Sequence, residues 1–190
     1  MKKIFSLLLL MAAGVMHSQD GCEYNILTTD DGVEVKSTKE YMMYERIFGN
    51  SSQFMFFSLT NSEGTPILTF QYLAKSKDFP PIYCLDKTSR IYIQLTNGKI
   101  ITLVSITEDQ CSGLVYDGAE QNNIRVLSGS FLFTVGSLEE LEKSSISFIR
   151  VKYATETVDY PMKREFISEN NGTTYKPDTY FINMLKCIKD

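Results

Sequence analysis

The chain has no tryptophan, one histidine and no Cys-x-x-Cys pair, and two of these scarcities exclude whole chemistries. The histidine, His17, lies in an N-terminal stretch with the marks of an export signal over residues 1–19. Lys2 and Lys3 give it a basic start, residues 4–16 are apolar, and His17-Ser18-Gln19 closes it. Cleavage after Ser18 or Gln19 leaves a mature chain without histidine. Ser-His-Asp and Cys-His activation, the usual proton shuttle at neutral pH and the commonest zinc ligand are lost with it. Without Cys-x-x-Cys, a zinc ribbon or thioredoxin-like site has no basis either. Long apolar runs are scarce beyond the signal. Residues 54–59 and 100–106 are strand-sized, well short of the ~20 residues of a membrane helix.

A cationic surplus is missing as well. The full chain has 19 basic and 23 acidic residues; without the two signal lysines, 17 face 23, a formal charge of −6. That balance argues against nucleic acid and gives no reason to sit on anionic lipid. What remains, residues 20–190, has the length of one globular domain, and the 43% hydrophobic and 22% charged content of the full chain are globular values.

All four cysteines, Cys22, Cys84, Cys111 and Cys187, fall in this mature part. In an oxidising compartment they read as up to two disulfides with three possible pairings, which spacing does not separate. The preferred pairing is Cys22 with Cys187, tying the start of the domain to its last helix, and Cys84 with Cys111 is the second candidate. Cys22 also has a competing reading as a lipid-anchored residue. Gly21 suits that, whereas Gln19 and Asp20 stand where small and apolar residues are expected, so a secreted or periplasmic protein is preferred.

Along the chain, strand patterns dominate. Asp30-Asp31-Gly32 is a turn, residues 53–60 form a strand buried on both faces, and residues 66–73 alternate as a half-buried one. Residues 75–87 are expected as a loop, because Pro80-Pro81 forbids pairing. Asn97-Gly98 joins strands 90–95 and 99–106, with a type I′ turn expected. Residues 108–123 are polar and expected as a long exposed loop, followed by β-character over 124–135 interrupted at Ser128-Gly129. Ser137 to Glu140 has the form of a capping box opening a short helix. A last helix over 178–188, capped by Asp178, buries Phe181, Met184, Leu185 and Ile188. The expected fold is a single antiparallel, β-rich α+β domain. It is a sandwich or open barrel, with a short internal helix and a C-terminal helix packed on it.

The order of features resembles a family of small, uncharacterised exported proteins from Bacteroidota. A cysteine soon after the signal is followed by Asp30-Asp31-Gly32, and the segment 93–103 resembles the family hairpin L-x-[ND]-G-x-x-x-x-L. Leu138-Glu-Glu-Leu-Glu-Lys followed by Ile146-Ser-Phe-Ile-Arg-Val resembles its helix and I-x-x-I-R-I strand, and Met184-Leu-Lys-Cys187-Ile its closing L-x-C-[IL]. The chain departs from the pattern over 170–176, which looks like an insertion. The resemblance implies the β-rich fold and a bridge between the terminal cysteines. It brings no activity, cofactor or catalytic residue.

No constellation rises to a catalytic, cofactor or metal site. Asp30, Asp31 and Glu34, and Asp117 with Glu120 around Gly118, read as acidic turns without the EF-hand pattern. Glu139, Glu140 and Glu142 favour a helix start through its dipole rather than forming a glycosidase pair. The aromatics of the first third, Tyr41, Tyr44, Phe54, Phe56, Phe57, Phe70 and Tyr72, read as core. The leading expectation is a non-catalytic exported module that binds a protein or small ligand through the loops 75–87 and 108–123. Two alternatives are a carrier holding a small apolar ligand among those Phe and Tyr rings and a histidine-free carboxylate hydrolase.

Overall fold

The structure, a computed structural model, describes residues 21–28 and 34–189; the expected signal and the turn at Asp30-Asp31-Gly32 lie outside them. Strands β1 (Tyr24–Thr28), β2 (Glu34–Thr38), β3 (Tyr41–Phe48), β4 (Ser51–Ser62) and β5 (Thr65–Ser76) come first. After the two-residue β6 (Cys84–Leu85) come β7 (Arg90–Leu95) and β8 (Ile100–Ser105). Next are β9 (Gln110–Cys111), β10 (Gly113–Asp117), β11 (Asn122–Phe133), the single-turn α1 (Ser137–Leu141), β12 (Ile146–Lys152) and β13 (Thr157–Pro161). The hairpin β14 (Phe166–Ile167) and β15 (Thr174–Tyr175) leads to α2 (Tyr180–Met184), flanked by 3-10 turns at Pro177–Thr179 and Leu185–Ile188.

Eleven strands form one antiparallel sheet in the order β1-β2-β4-β5-β11-β8-β7-β12-β13, with β3 added to β4 and β10 to β11. The sheet is open but strongly curled. Tyr44 on β3 meets Tyr160 on β13 edge to face, with ring centroids 5.1 Å apart, although the two strands are not paired. The curl encloses a core of Met55, Phe57, Leu68, Phe70, Ile91, Ile93, Leu103, Phe131, Ile149 and Val151. The C-terminal segment closes it, with Tyr180 and Phe181 both packed on Phe57.

Two disulfides are present, Cys22–Cys187 and Cys84–Cys111, an arrangement that oxidising compartments sustain. The first closes a separation of 165 residues, for which chain entropy gives about 5 kcal/mol. Tyr24 Oη donates to the Cys187 carbonyl (2.9 Å) and Asn61 Nδ2 to that of Ile188 (2.9 Å), so the tail is also hydrogen-bonded to β1 and β4. A Cys22 sulfur engaged in this bridge has no valence left for a thioether-linked lipid. No helix among the described residues is long and apolar enough to cross a membrane.

Several local expectations need correction. The β7–β8 connection is a three-residue loop in which Gly98 is left-handed (φ 85°) and Asn97 is not, so it is not type I′. Leu95 is bonded to both Gly98 and Lys99, the pattern of a tight turn ending in a glycine bulge. The capping box does not form. Gly136 is the N-cap of α1, and Ser137 Oγ pairs with Thr134 Oγ1 (2.7 Å), a partner three residues back that competes with the helix. Asp178 caps nothing but lies within a 3-10 turn, and the last helix is divided into that turn, α2, which buries Tyr180 and Phe181, and a second 3-10 turn over Leu185–Ile188.

The core contains a cluster of phenols. Tyr83 stacks on Tyr153 at 4.4 Å, Tyr72 meets Tyr83 edge-on, and the hydroxyls of Tyr153 and Tyr160 share a hydrogen bond of 2.8 Å. Burial pushes Tyr72, Tyr153 and Tyr160 well above the ordinary phenol value of 10.0, because a phenolate there would be desolvated. The unfolded chain therefore releases these protons first as pH rises. The stability they confer is complete below about pH 10 and is lost above it. Melting temperatures should hold up to that point and fall beyond it, with phenolate absorbance from these rings appearing only as the near-ultraviolet dichroism collapses. Full ionisation of all tyrosines in a still-folded protein would contradict this.

Candidate functional site

The two segments expected as binding loops are brought together at one end of the molecule. The second is not a loop throughout: residues 113–117 form β10, paired with β11 from Gly113↔Val126 to Asp117↔Asn122. Leu114-Val115-Tyr116 has the β-branched and aromatic character of a strand, hidden in the sequence by the polar residues around it. Its turn is closed by Asp117 Oδ1, which accepts from the Ala119 (3.0 Å) and Glu120 (3.3 Å) amides, while Gln121 takes a positive φ of 54°. The first segment is shorter than expected, since β5 continues to Ser76 and β6 occupies Cys84–Leu85.

Three devices hold the segments against each other. Cys84 and Cys111 are directly opposite in the β6–β9 pair and bridged by a disulfide. Arg125, half-buried on β11, donates from Nε to the Pro80 carbonyl (3.0 Å) and from Nη1 to that of Ser112 (3.0 Å). Asn123 Nδ2 donates to the Lys77 carbonyl (3.1 Å), and the Ser112 amide to that of Tyr83 (2.8 Å). Lys75–Glu120 and Lys87–Glu108 ion pairs span the outside, where solvent screening leaves them little weight.

Beneath the disulfide, β11 runs without interruption through Ser128-Gly129, and the glycine has a packing role. A Cβ on Gly129 would overlap Leu85 Cδ1 and come within 2.8 Å of Thr107 Oγ1. Its absence lets buried Leu85, and with it Cys84, lie directly on the sheet.

What this frame presents is apolar. Leu114 (44% exposed) stands opposite Arg125 in the β10–β11 register with Tyr116 (62%) on the same face, Phe79 (74%) and Ile82 (54%) flank the Pro80-Pro81 segment that Arg125 holds, and Val115 (61%) projects from the other side of β10. The outer edge of β10 is unpaired among the described residues. Exposed side chains of this size, grouped on a stiff support, mark contact surfaces more often than they mark defects.

Other expected site residues are placed elsewhere. The Phe and Tyr rings considered for a ligand cavity pack on one another in the core, as in Phe57–Phe70, Tyr72–Tyr83 and Tyr44–Tyr160. Two surface grooves, of about 490 and 420 Å³, are lined by other residues. The carboxyls with displaced titration, Glu23, Asp86, Glu140 and Asp159, all move down. Hydrogen bonds from Lys39, Thr88, Lys99 and Arg150 respectively are the main causes. That is opposite to what a general acid requires. Among the described residues no group of three or more His, Cys, Asp or Glu is placed to hold a metal. Comparison with protein-family models, curated proteins and solved structures finds no match for the chain.

Gly129→Ala should lower the unfolding free energy by about 1–3 kcal/mol in urea titrations, because the added Cβ forces the buried Leu85 and the Thr107 hydroxyl to shift. Gly113→Ala, with open space around it, should be near neutral. Arg125→Met should raise amide exchange selectively over 77–83 and 110–117, leaving β7–β8 protected; uniform loosening would mean Arg125 is not the clasp.

Proposed function

We propose that this chain is an exported, non-catalytic interaction protein, working outside the cytoplasm and docking another protein through the apolar surface around Arg125. The observation that carries the reading is the convergence of Phe79, Ile82, Leu114 and Tyr116 on a frame fixed by the Cys84–Cys111 bridge. Loops already immobilised lose little entropy on docking, so their apolar area is available for affinity. The N-terminal segment, with its signal-like pattern, and the two disulfides support secretion or a periplasmic location. Membership of the Bacteroidota family that the chain resembles belongs to the same proposal.

A photo-crosslinking residue placed at Tyr116 in the native host should give one dominant protein adduct. Phe79→Ser with Leu114→Ser should abolish that adduct without shifting the melting temperature. The same yield from a crosslinker at exposed Val135, beyond the opposite end of β11, would remove the proposal. A small molecule retained in native mass spectrometry would favour a carrier instead.

A further inference from the structure

The solvent face of β8, β7, β12 and β13 carries the groove of about 490 Å³. Strand alternation builds it: Ile91, Ile93, Ile149, Val151 and Tyr160 point into the core, so their neighbours point out. The register then sets Tyr92 beside Arg150, Gln94 beside Phe148 and Lys152 beside Thr157. An extra residue at Ser147, whose Oγ donates to the Gln94 carbonyl (3.0 Å), bulges β12 and adds local twist.

Arg150 is fixed in place. Its Nε and Nη2 donate to Asp159 Oδ1 (2.5 Å) and Oδ2 (2.7 Å), and the guanidinium lies 5.8 Å from the Phe148 ring centroid. Two of its five N–H groups are engaged by Asp159, and the others remain to donate. The Tyr92 hydroxyl, the Gln94 carboxamide and the Lys152 ammonium have no polar partner among the described residues. Charge in the groove is positive: Arg150 and Asp159 cancel, leaving Lys152 with Arg90 opposite it on β7. Glu156, next in sequence to Thr157, is exposed and does not line the groove.

Two aromatic rings, uncommitted amide and hydroxyl groups and local positive charge define a ligand class. It must offer flat C–H faces, many hydroxyls and a carboxylate. We propose that this groove binds acidic oligosaccharides built from uronic acids. The carboxylate lies against Lys152 and the free edge of Arg150, sugar faces stack on Tyr92 and Phe148, and Gln94 bonds ring hydroxyls. A long polyanion such as nucleic acid would meet a net negative protein around one unpaired ammonium, Lys152, so a short acidic sugar fits better.

Calorimetry of the disulfide-bonded mature chain with tetragalacturonate, against the neutral galactose tetramer, tests this. The acidic sugar should bind at least about tenfold tighter. Lys152→Gln and Tyr92→Ala should each cost about tenfold for the acid, Tyr92→Phe much less, and Lys36→Gln on β2 nothing. Lys152 is exposed and unpaired, so its replacement leaves the fold intact. No binding, equal binding of both sugars, or binding unchanged in Lys152→Gln would overturn the proposal. A tetraglutamate peptide binding as tightly as the uronate would also overturn it, since charge alone would then suffice. None of these outcomes bears on the surface around Arg125.

Discussion

The structure depends on the antiparallel ladder between β5 and β11, which runs from Asn123↔Ser76 to Leu132↔Ile67. It joins residues 47 to 65 positions apart, so its loop-closure cost is met only when the whole interface forms. Every partner of functional interest hangs from it. The chain leaves β5 at Ser76 into the loop carrying Phe79 and Ile82, and β10 enters β11 at the same end. The pairing thus makes neighbours of two segments far apart in sequence. At the other end, β11 passes the sheet on to β8 through Phe131↔Ser105, setting the wall whose outside is the groove.

The ladder alone would leave the two segments of the apolar end unconnected to each other. The Cys84–Cys111 bridge and Arg125 turn it into a surface, each acting on backbone rather than on the exposed side chains. This leaves Phe79, Ile82, Leu114 and Tyr116 uncommitted while the chain beneath them is held. Gly129 completes the device from below, since a Cβ there would overlap Leu85 where it rests on the sheet. Rigidity and exposure together separate a docking surface from an ordinary floppy loop.

How much of this could be read in advance follows from range. Local signals were legible: Asn97-Gly98 marks a hairpin, the spacing of Phe181, Leu185 and Ile188 marks a packed helix, and the aromatics of β4 and β5 mark the core. Both of the proposed disulfide pairings are present in the structure. Local signals erred where two local partners compete. Ser137 had a choice between capping a helix and bonding Thr134, and the tertiary position of the chain decided it. Non-local features gave no local sign. Gly129 looks like a strand breaker until Leu85 is placed across from it. The groove was missed for the same reason, since Tyr92 and Arg150 become neighbours only through the β7–β12 register. Leu114-Val115-Tyr116 is a different case, a local strand signal masked by the polar residues around it.

The apolar end and the groove adjoin. The Ala154 amide, in the turn between β12 and β13, donates to the Cys84 carbonyl (2.8 Å), so the Lys152 end of the groove abuts the root of the stapled loops. Their chemistries still divide the work. Around Arg125 the guanidinium is already bonded to two carbonyls and the surface offers apolar area. In the groove, Lys152 and part of Arg150 remain open to an anion. The net charge of the whole chain, −4, reinforces the division. At physiological ionic strength charges beyond ~8 Å are largely screened, so Lys152 and Arg150 act on what touches them and the acidic remainder does not. A long polyanion, by contrast, must extend over that acidic remainder at close range. The charge distribution therefore discriminates among anions by length rather than by sign.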